Sequence, residues 1–333
     1  MFHLQPLRRA QRLVTCMATL VVFHMPAHAA EIDAAAFPSK SVRIVIGFTP
    51  GGVPDITARL IAQRLTETWK QQVIVDNRPG AGGTIAAHTV ARANADGYTL
   101  LSVSSAHAVA PAVYAKLPYD TLKDFASITV TANGPALLLV SPTIGAKSAK
   151  DLIALAKAKP GQLNFASAGV GSGTHFAGEL FRIMAGIEVV HIPFKGIPEA
   201  ITETITGRIQ FFMSPVASAL NLVKDGKAVA VAVTSAKRMA ITPELPTVAE
   251  SGLPGYRWDF WYAMLAPATT PQPVLRRLHE AITQILRLPD TKERWSALGA
   301  EPAPTTPGEL DKLIAEEVAT YTKIARAAGI KAQ

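Results

Sequence analysis

The sequence predicts an α/β fold of two lobes followed by a helical tail. Three observations carry that expectation. Short apolar runs of strand length alternate with helical periodicities along most of the chain, the pattern of parallel strands joined by crossover helices. The 333 residues are 49% hydrophobic and only 17% charged, with a mean hydropathy of +0.22, which supplies a large core. After Tyr256 to Ala266, the prolines Pro267, Pro271 and Pro273 mark a change, and beyond them the periodicity is helical only.

The elements follow in order. Val42 to Phe48 (VRIVIGF) reads as a buried strand, then a Gly-Gly turn and a helix over Ile56 to Trp69. Val73 to Val75 is a second strand, followed by a Gly-rich loop and a helix from Thr84 to Asn94; Tyr98 to Val103 is a third strand. A second series begins at Ala136 to Val140 (ALLLV), with a helix opened by a Ser148–Asp151 capping box. Strand Leu163 to Ala166, helix Thr174 to Met184, strand Glu188 to Ile192 and helix Glu199 to Thr206 come next. Strand Ile209 to Met213, helix Ala219 to Lys224 and strand Val229 to Val233 complete the series. The tail holds helices over Val274 to Leu286 and Thr291 to Leu298, and a last one opened by the capping box Thr306–Glu309. One lobe near 38–134 and another near 135–264 fit the usual domain size; periodicity does not place the tail.

Arg8, Arg9 and Arg12, the apolar run Leu13 to Phe23 and the small-x-small site Ala27-His28-Ala29 have the layout of an export signal over 1–29, cleaved near Ala29. That run is too short to span a bilayer. Cys16, the only cysteine, lies within it, so the mature chain has no disulfide, thiol nucleophile or cysteine metal site. Three of the eight net positive charges are those arginines, and the rest form no basic block with interleaved aromatics, which argues against nucleic acid. No His, Asp and Glu cluster has metal-ligand spacing, and no carboxylate pair stands out for acid–base work.

Three loops before helices are candidates for anion binding, because glycines allow close backbone approach and a helix start offers free N–H groups and a positive dipole end. The first is Phe48-Thr49-Pro50-Gly51-Gly52-Val53-Pro54-Asp55, where the Asp55 side chain also reads as a helix N-cap. The second is Asn77 to Thr84, with Thr84 as its cap; it lacks the P-loop pattern. The third is Ser167 to His175. It has neither GxSxG nor a complete GxGxxG, since Thr174 stands at a required glycine. Lys195-Gly196 and His107, in the polar loop Ser102 to His107, are weaker candidates. Two lobes each presenting helix N-termini to a shared cleft would clamp a carboxylate without an arginine.

The segments GFTPGGVPDITAR, VIVDNRPGAGGTIAA, NADGYTLL, FASAGVGSGTHFAGELF, VVHIPFKGIPEAI and WDFWYAMLAPATTP together resemble the Bug family, the TctC-like solute-binding components of tripartite tricarboxylate transporters. The resemblance covers nearly the whole mature chain. It implies a type II periplasmic-binding-protein fold, two α/β lobes joined by two crossing strands with the ligand cleft between them. The C-terminal helices then return to the first lobe, giving 30–134 plus 265–333 as lobe 1 and 135–264 as lobe 2. It also implies a monomeric periplasmic protein without cofactor, which binds a small carboxylate solute for membrane permease subunits or for a sensor protein. Carried over by position, the ligand contacts are Phe48, Pro50, Gly51, Gly52, Pro54 and Asp55; Ser104, Ala106 and His107; and Ser167, Gly171, Ser172, Thr174 and His175, with Lys195 and Gly196 nearby. The stretch Thr202 to Arg208 lacks the acidic, Leu-Gly-Gly-rich character usual in relatives, and Ser214 stands where they carry an aspartate. An exported hydrolase using Ser172 and His175 is the enzymatic alternative.

Overall fold

The computed structural model describes residues 36–330 apart from 298, and residue 332; the export signal and Cys16 lie outside them. The first half alternates strand and helix: β1 (Val42–Ile46), α1 (Val53–Trp69), β2 (Val73–Asn77), α2 (Thr84–Ala91), β3 (Thr99–Ser104) and α3 (Ala106–Val113). A long strand, β4 (Phe125–Val140), leads to α4 (Ala149–Ala158), β5 (Asn164–Ser167), α5 (Gly173–Ala185), β6 (Val190–Pro193) and α6 (Ile197–Ile205). Then come β7 (Phe211–Pro215), α7 (Val216–Lys224), β8 (Val229–Val233), β9 (Asp259–Pro267), α8 (Gln272–Arg287), α9 (Pro289–Ala297) and α10 (Pro307–Ala327).

Among the described residues the strands follow the order β2-β1-β3-β9-β4-β7-β5-β6, with β8 also on β4. β1 pairs in parallel with β2 and β3, and β5 with β6 and β7, the two βαβ series that the alternation predicts. Antiparallel β4 and β9 connect them. Phe125 to Pro135 of β4 pairs with β9, whereas Ala136 to Val140 pairs with β7 and β8. This one strand therefore belongs to both halves of the sheet.

Sequence reading finds only the last five residues of β4. Its first part, FASITVTANGP, carries Ser and Thr and a turn-like Asn-Gly-Pro, yet its polar groups are satisfied inside. Thr129 Oγ1 donates to the Thr305 carbonyl at 2.9 Å and Thr131 Oγ1 to that of Tyr262 at 3.1 Å. α3 is also new, in place of a polar loop: Pro111 sits inside it, where proline is disfavoured, but the helix packs against α10. The tail's α8 packs on α1 and β4, and α10 on α3, β4 and α5. The Thr306–Glu309 capping box is present, with Glu309 N donating to Thr306 Oγ1 and Thr306 N to the Glu309 carboxylate.

The core in the second half lies where α6 (Ala200, Ile201) and α7 (Ala219, Leu220) cover Leu137, Leu139, Ala166 and Phe212 of the sheet. No described helix is long and apolar enough to cross a membrane, and the described residues hold no group of three or more possible metal ligands.

Candidate functional site

The β1–α1 loop is shaped by a buried carboxylate beneath it. Helix α1 is N-capped by Gly52, not by Asp55; Asp55 sits in the first turn, with its side chain folded back under the loop. Its carboxylate accepts Gly51 N–H at 3.1 Å, Asn77 Nδ2 at 2.9 Å and Arg59 Nε at 3.0 Å. Burial works to raise the pKa of this carboxyl, but the bonds from Arg59, Gly51 and Asn77 outweigh it and hold the group below the usual carboxylate range. Asn77 Nδ2 also reaches the Phe48 carbonyl at 3.1 Å, so one cluster pins both ends of the loop.

The third glycine loop closes on itself in the same way. Gly169 and Gly171 take positive φ (115° and 78°), turning the chain so that Ser172 caps α5, its Oγ accepting His175 N–H at 3.2 Å. Ser172 Oγ lies 2.9 Å from Thr174 Oγ1, which accepts Ala168 N–H at 2.9 Å. The His175 ring is turned away from Ser172. Its Nδ1 accepts Gly171 N–H at 3.3 Å, its Nε2 lies 3.8 Å from Glu179 Oε1, and the ring stacks on His191 at 3.9 Å. Burial, reinforced by His191 and Arg182, lowers its pKa to about 3, and burial lowers that of His191 to about 4. Both imidazoles are neutral at pH 7. The Ser172–His175 pair expected of a hydrolase is not formed.

These loops meet around one pocket of about 40 Å³, lined by Phe48, Thr49, Gly52, Pro54, Ser104, Ser105, Ala168, Ser172, Gly173, Thr174, Gly196, Ile197, Pro215, Phe260 and Tyr262. Five of these residues are helix N-caps: Gly52 of α1, Ser105 of α3, Ser172 of α5, Gly196 of α6 and Pro215 of α7. Five positive dipole ends thus converge on a wall that contains no Asp, Glu, Lys, Arg or His. A wider chamber of about 440 Å³ shares Phe48, Thr49 and Ala168 with it and carries Tyr114 and Lys195.

Of the expected contacts, Phe48, Gly52, Pro54, Ser104, Ser172, Thr174 and Gly196 line the inner pocket, and Lys195 the outer chamber. The others stand elsewhere. Pro50 and Gly51 are exposed and lie off the wall, and Asp55 is beneath the loop. Ala106 and His107 border a separate cavity of about 10 Å³, where His107 packs against Tyr119 and Phe125 and burial lowers its pKa to about 4. Ser167 Oγ shares a 2.6 Å hydrogen bond with His191 Nε2, and Gly171 packs on Val113. Ser214 is fully buried in β7, its Oγ donating to the Pro215 carbonyl at 3.2 Å. Thr84 is likewise not a cap: Gly83, at φ 96°, holds that place.

Sequence reasoning includes Thr49, Ser105, Ala168 and Gly173 only as members of the candidate loops, and missed Ile197, Pro215, Phe260 and Tyr262 as wall residues. Phe260 and Tyr262 had a legible signal, since alternate residues of a strand share a face. Pro215 had none, because its place depends on β7 running beside β4.

Known proteins share this fold over most of the chain. BugT from Bordetella pertussis is 32% identical over 305 residues, covering 91% of this chain and 94% of that protein. The structure of Rpa4515 from R. palustris, solved with adipate, superposes with a TM-score of 0.86 at 34% identity, over 89% of this chain and all of that one. MatC from Rhodopseudomonas palustris, solved with malate, gives a TM-score of 0.81 at 30% identity, over 86% of this chain and 99% of that one. Residues 57–330 match the tripartite tricarboxylate transporter family receptor, TctC, and the chain, with the fold of the periplasmic solute-binding proteins, belongs to that family.

Proposed function

We propose that this chain is a periplasmic receptor that captures a small carboxylate in the cleft between two lobes and delivers it to the permease subunits of a tripartite tricarboxylate-type transporter. The observation that carries this reading is the convergence of five helix N-termini on one pocket without a charged side chain. Such a pocket holds an anion through oriented N–H groups and hydroxyls rather than through an ion pair. Relatives solved with adipate and malate support the same class of solute.

The division proposed is 30–134 plus 265–333 for one lobe and 135–264 for the other, with β4 and β9 as the crossing strands. Export by the signal at 1–29, cleavage near Ala29 and a monomeric state belong to the same proposal. The inner pocket, about 40 Å³, holds only a few waters, so the loops must part to admit a solute and close again over it. Lys195, at the outer chamber, draws anions toward the opening. A membrane sensor in place of a permease would receive the same ligand-closed form; co-purification of the membrane partner separates the two.

Isothermal calorimetry of protein purified from the periplasm and freed of bound solute, against a series of mono-, di- and tricarboxylates, tests the reading. One-to-one binding of a carboxylate is the expected result. A chain that binds no carboxylate while binding a neutral or cationic solute is not the receptor described here.

A further inference from the structure

The pocket's wall also defines what the carboxylate carries. Every carboxylate borne by the elements that build the pocket is engaged elsewhere: Asp55 with Arg59, Glu179 with Arg182, Asp259 with Arg257, Glu203 with Arg208, Glu67 with Arg64, and Glu199 with the Lys195 backbone N–H. A cationic group entering the pocket meets five positive helix ends and finds no acidic partner on the wall; the nearest acid behind it, Glu317 of α10, is turned to Tyr321 and Trp261. The remaining surface is apolar where it is not hydroxyl: Phe48, Pro54, Ile197, Pro215 and Phe260 stand among the N-caps. On the hydroxyl side, Ser105 Oγ is fully buried beside the Tyr321 hydroxyl, and lies 2.6 Å from where a Cβ on Gly173 would be. A buried hydroxyl of that kind is suited to an acceptor oxygen.

Resting on the receptor reading above, we propose that the solute is an organic acid with an apolar alkyl or aryl body and no ammonium group, and that the pocket rejects amino acids. A carboxylate takes the helix ends and the Ser105 hydroxyl, and its carbon skeleton lies against Phe48, Ile197 and Phe260. An α-ammonium group would be buried on that skeleton unpaired, within the field that favours the carboxylate.

Matched pairs test this on the wild-type chain purified from the periplasm and freed of bound solute. Calorimetry is run with unsubstituted C4 to C8 diacids and aryl acids, each beside its α-amino counterpart, glutarate with glutamate and 3-phenylpropionate with phenylalanine among them. The expected result is that the acids bind and that each amino counterpart is weaker by roughly 100-fold, the scale of leaving a buried charge without a partner. An amino counterpart that binds within threefold of its acid, or tighter, overturns the proposal and leaves the carboxylate reading standing. Failure of every acid and amino acid overturns the carboxylate reading itself. A second arm uses Ile197→Asp, which adds a carboxylate to the wall at the first position of α6, where an acidic residue also suits the helix. It narrows the gap within each pair; an unchanged gap means that missing acidic charge is not what excludes the amino group.

Discussion

Thr49 Oγ1 stands 2.7 Å from the point that a Cβ on Gly196 would occupy. The two residues lie on different loops, β1–α1 and β6–α6, and both line the inner pocket. Gly196 has φ −170°, which any residue adopts, so its smallness here serves the approach of Thr49 and not the backbone. Gly196→Ala is expected to hold the loops apart and weaken solute binding roughly tenfold, with little change in Tm, because the clash arises only when the loops meet. Calorimetry on Gly196→Ala and on Thr49→Ala/Gly196→Ala checks this. The second variant removes the opposing hydroxyl and should recover most of the affinity; no recovery would show that the contact is not what limits closure.

Asp55 is expected to act on the site through the loop above it. Asp55→Asn removes the charge that holds Arg59, Asn77 and Gly51 N–H together, and should cost about 1–3 kcal/mol of stability, the range for a buried group losing charge-assisted bonds. Arg59→Ala should cost less, since that side chain is half exposed. Denaturant titration of both variants gives the order. Equal losses would mean that the ion pair, not the loop bonds, carries the effect.

Ser172 has two roles in the structure, capping α5 and lining the pocket. Ser172→Ala is expected to lose about 1 kcal/mol of stability with the cap, and to bind the solute more weakly. Thr174→Val keeps the shape but leaves Ala168 N–H unpaired, with a similar cost. If either variant binds with wild-type affinity, its hydroxyl does not touch the solute, and the measured Tm still reports its part in the loop.

Three buried imidazoles make the fold sensitive to acid. Burial lowers His107 and His191 from 6.5 to about 4; burial, with His191 and Arg182, lowers His175 to about 3. The folded state therefore binds fewer protons than the unfolded chain below pH 6.5. Stability is fully present above that value and falls as the pH drops toward 4 and then 3. At pH 5 each imidazole is expected to remove about 2 kcal/mol relative to pH 7.5. Urea titrations between pH 7.5 and 4.5 measure the slope. His107→Leu, in an aromatic setting with His107 Nε2 unpartnered, should lessen that slope by about one proton. A slope unchanged in the variant would exclude His107 as a contributor.

Much of this protein is written locally. Strand β1 is readable from VRIVI, α10 from its capping box, and the Ser172 loop from glycines whose positive φ bends the chain back on its own helix. Short-range physics makes such features legible: the cap bonds of α10 and α5 span three residues, and β1 shows as a run of β-branched apolar residues. The same holds for the expectation that glycine- and hydroxyl-rich loops open helices at a binding site, which three of the five N-caps follow: Gly52, Ser172 and Gly196.

Tertiary structure decided the rest. The polar first part of β4 is a strand because β9 and Thr305 satisfy groups that look like those of a loop. His107 and Ser167, good ligand-binding residue types on promising loops, face Tyr119 and His191 instead of the pocket. Asp55 reads as a cap or a ligand, and folds under its loop because Arg59 and Asn77 lie there. Ser105 and Pro215 join the wall only because β3 and β7 end beside the same opening. Local composition marks three of the loops that present helix ends, those of Gly52, Ser172 and Gly196. Which side chains stand between those ends depended on strand order, since contacts across a sheet join residues far apart in the chain.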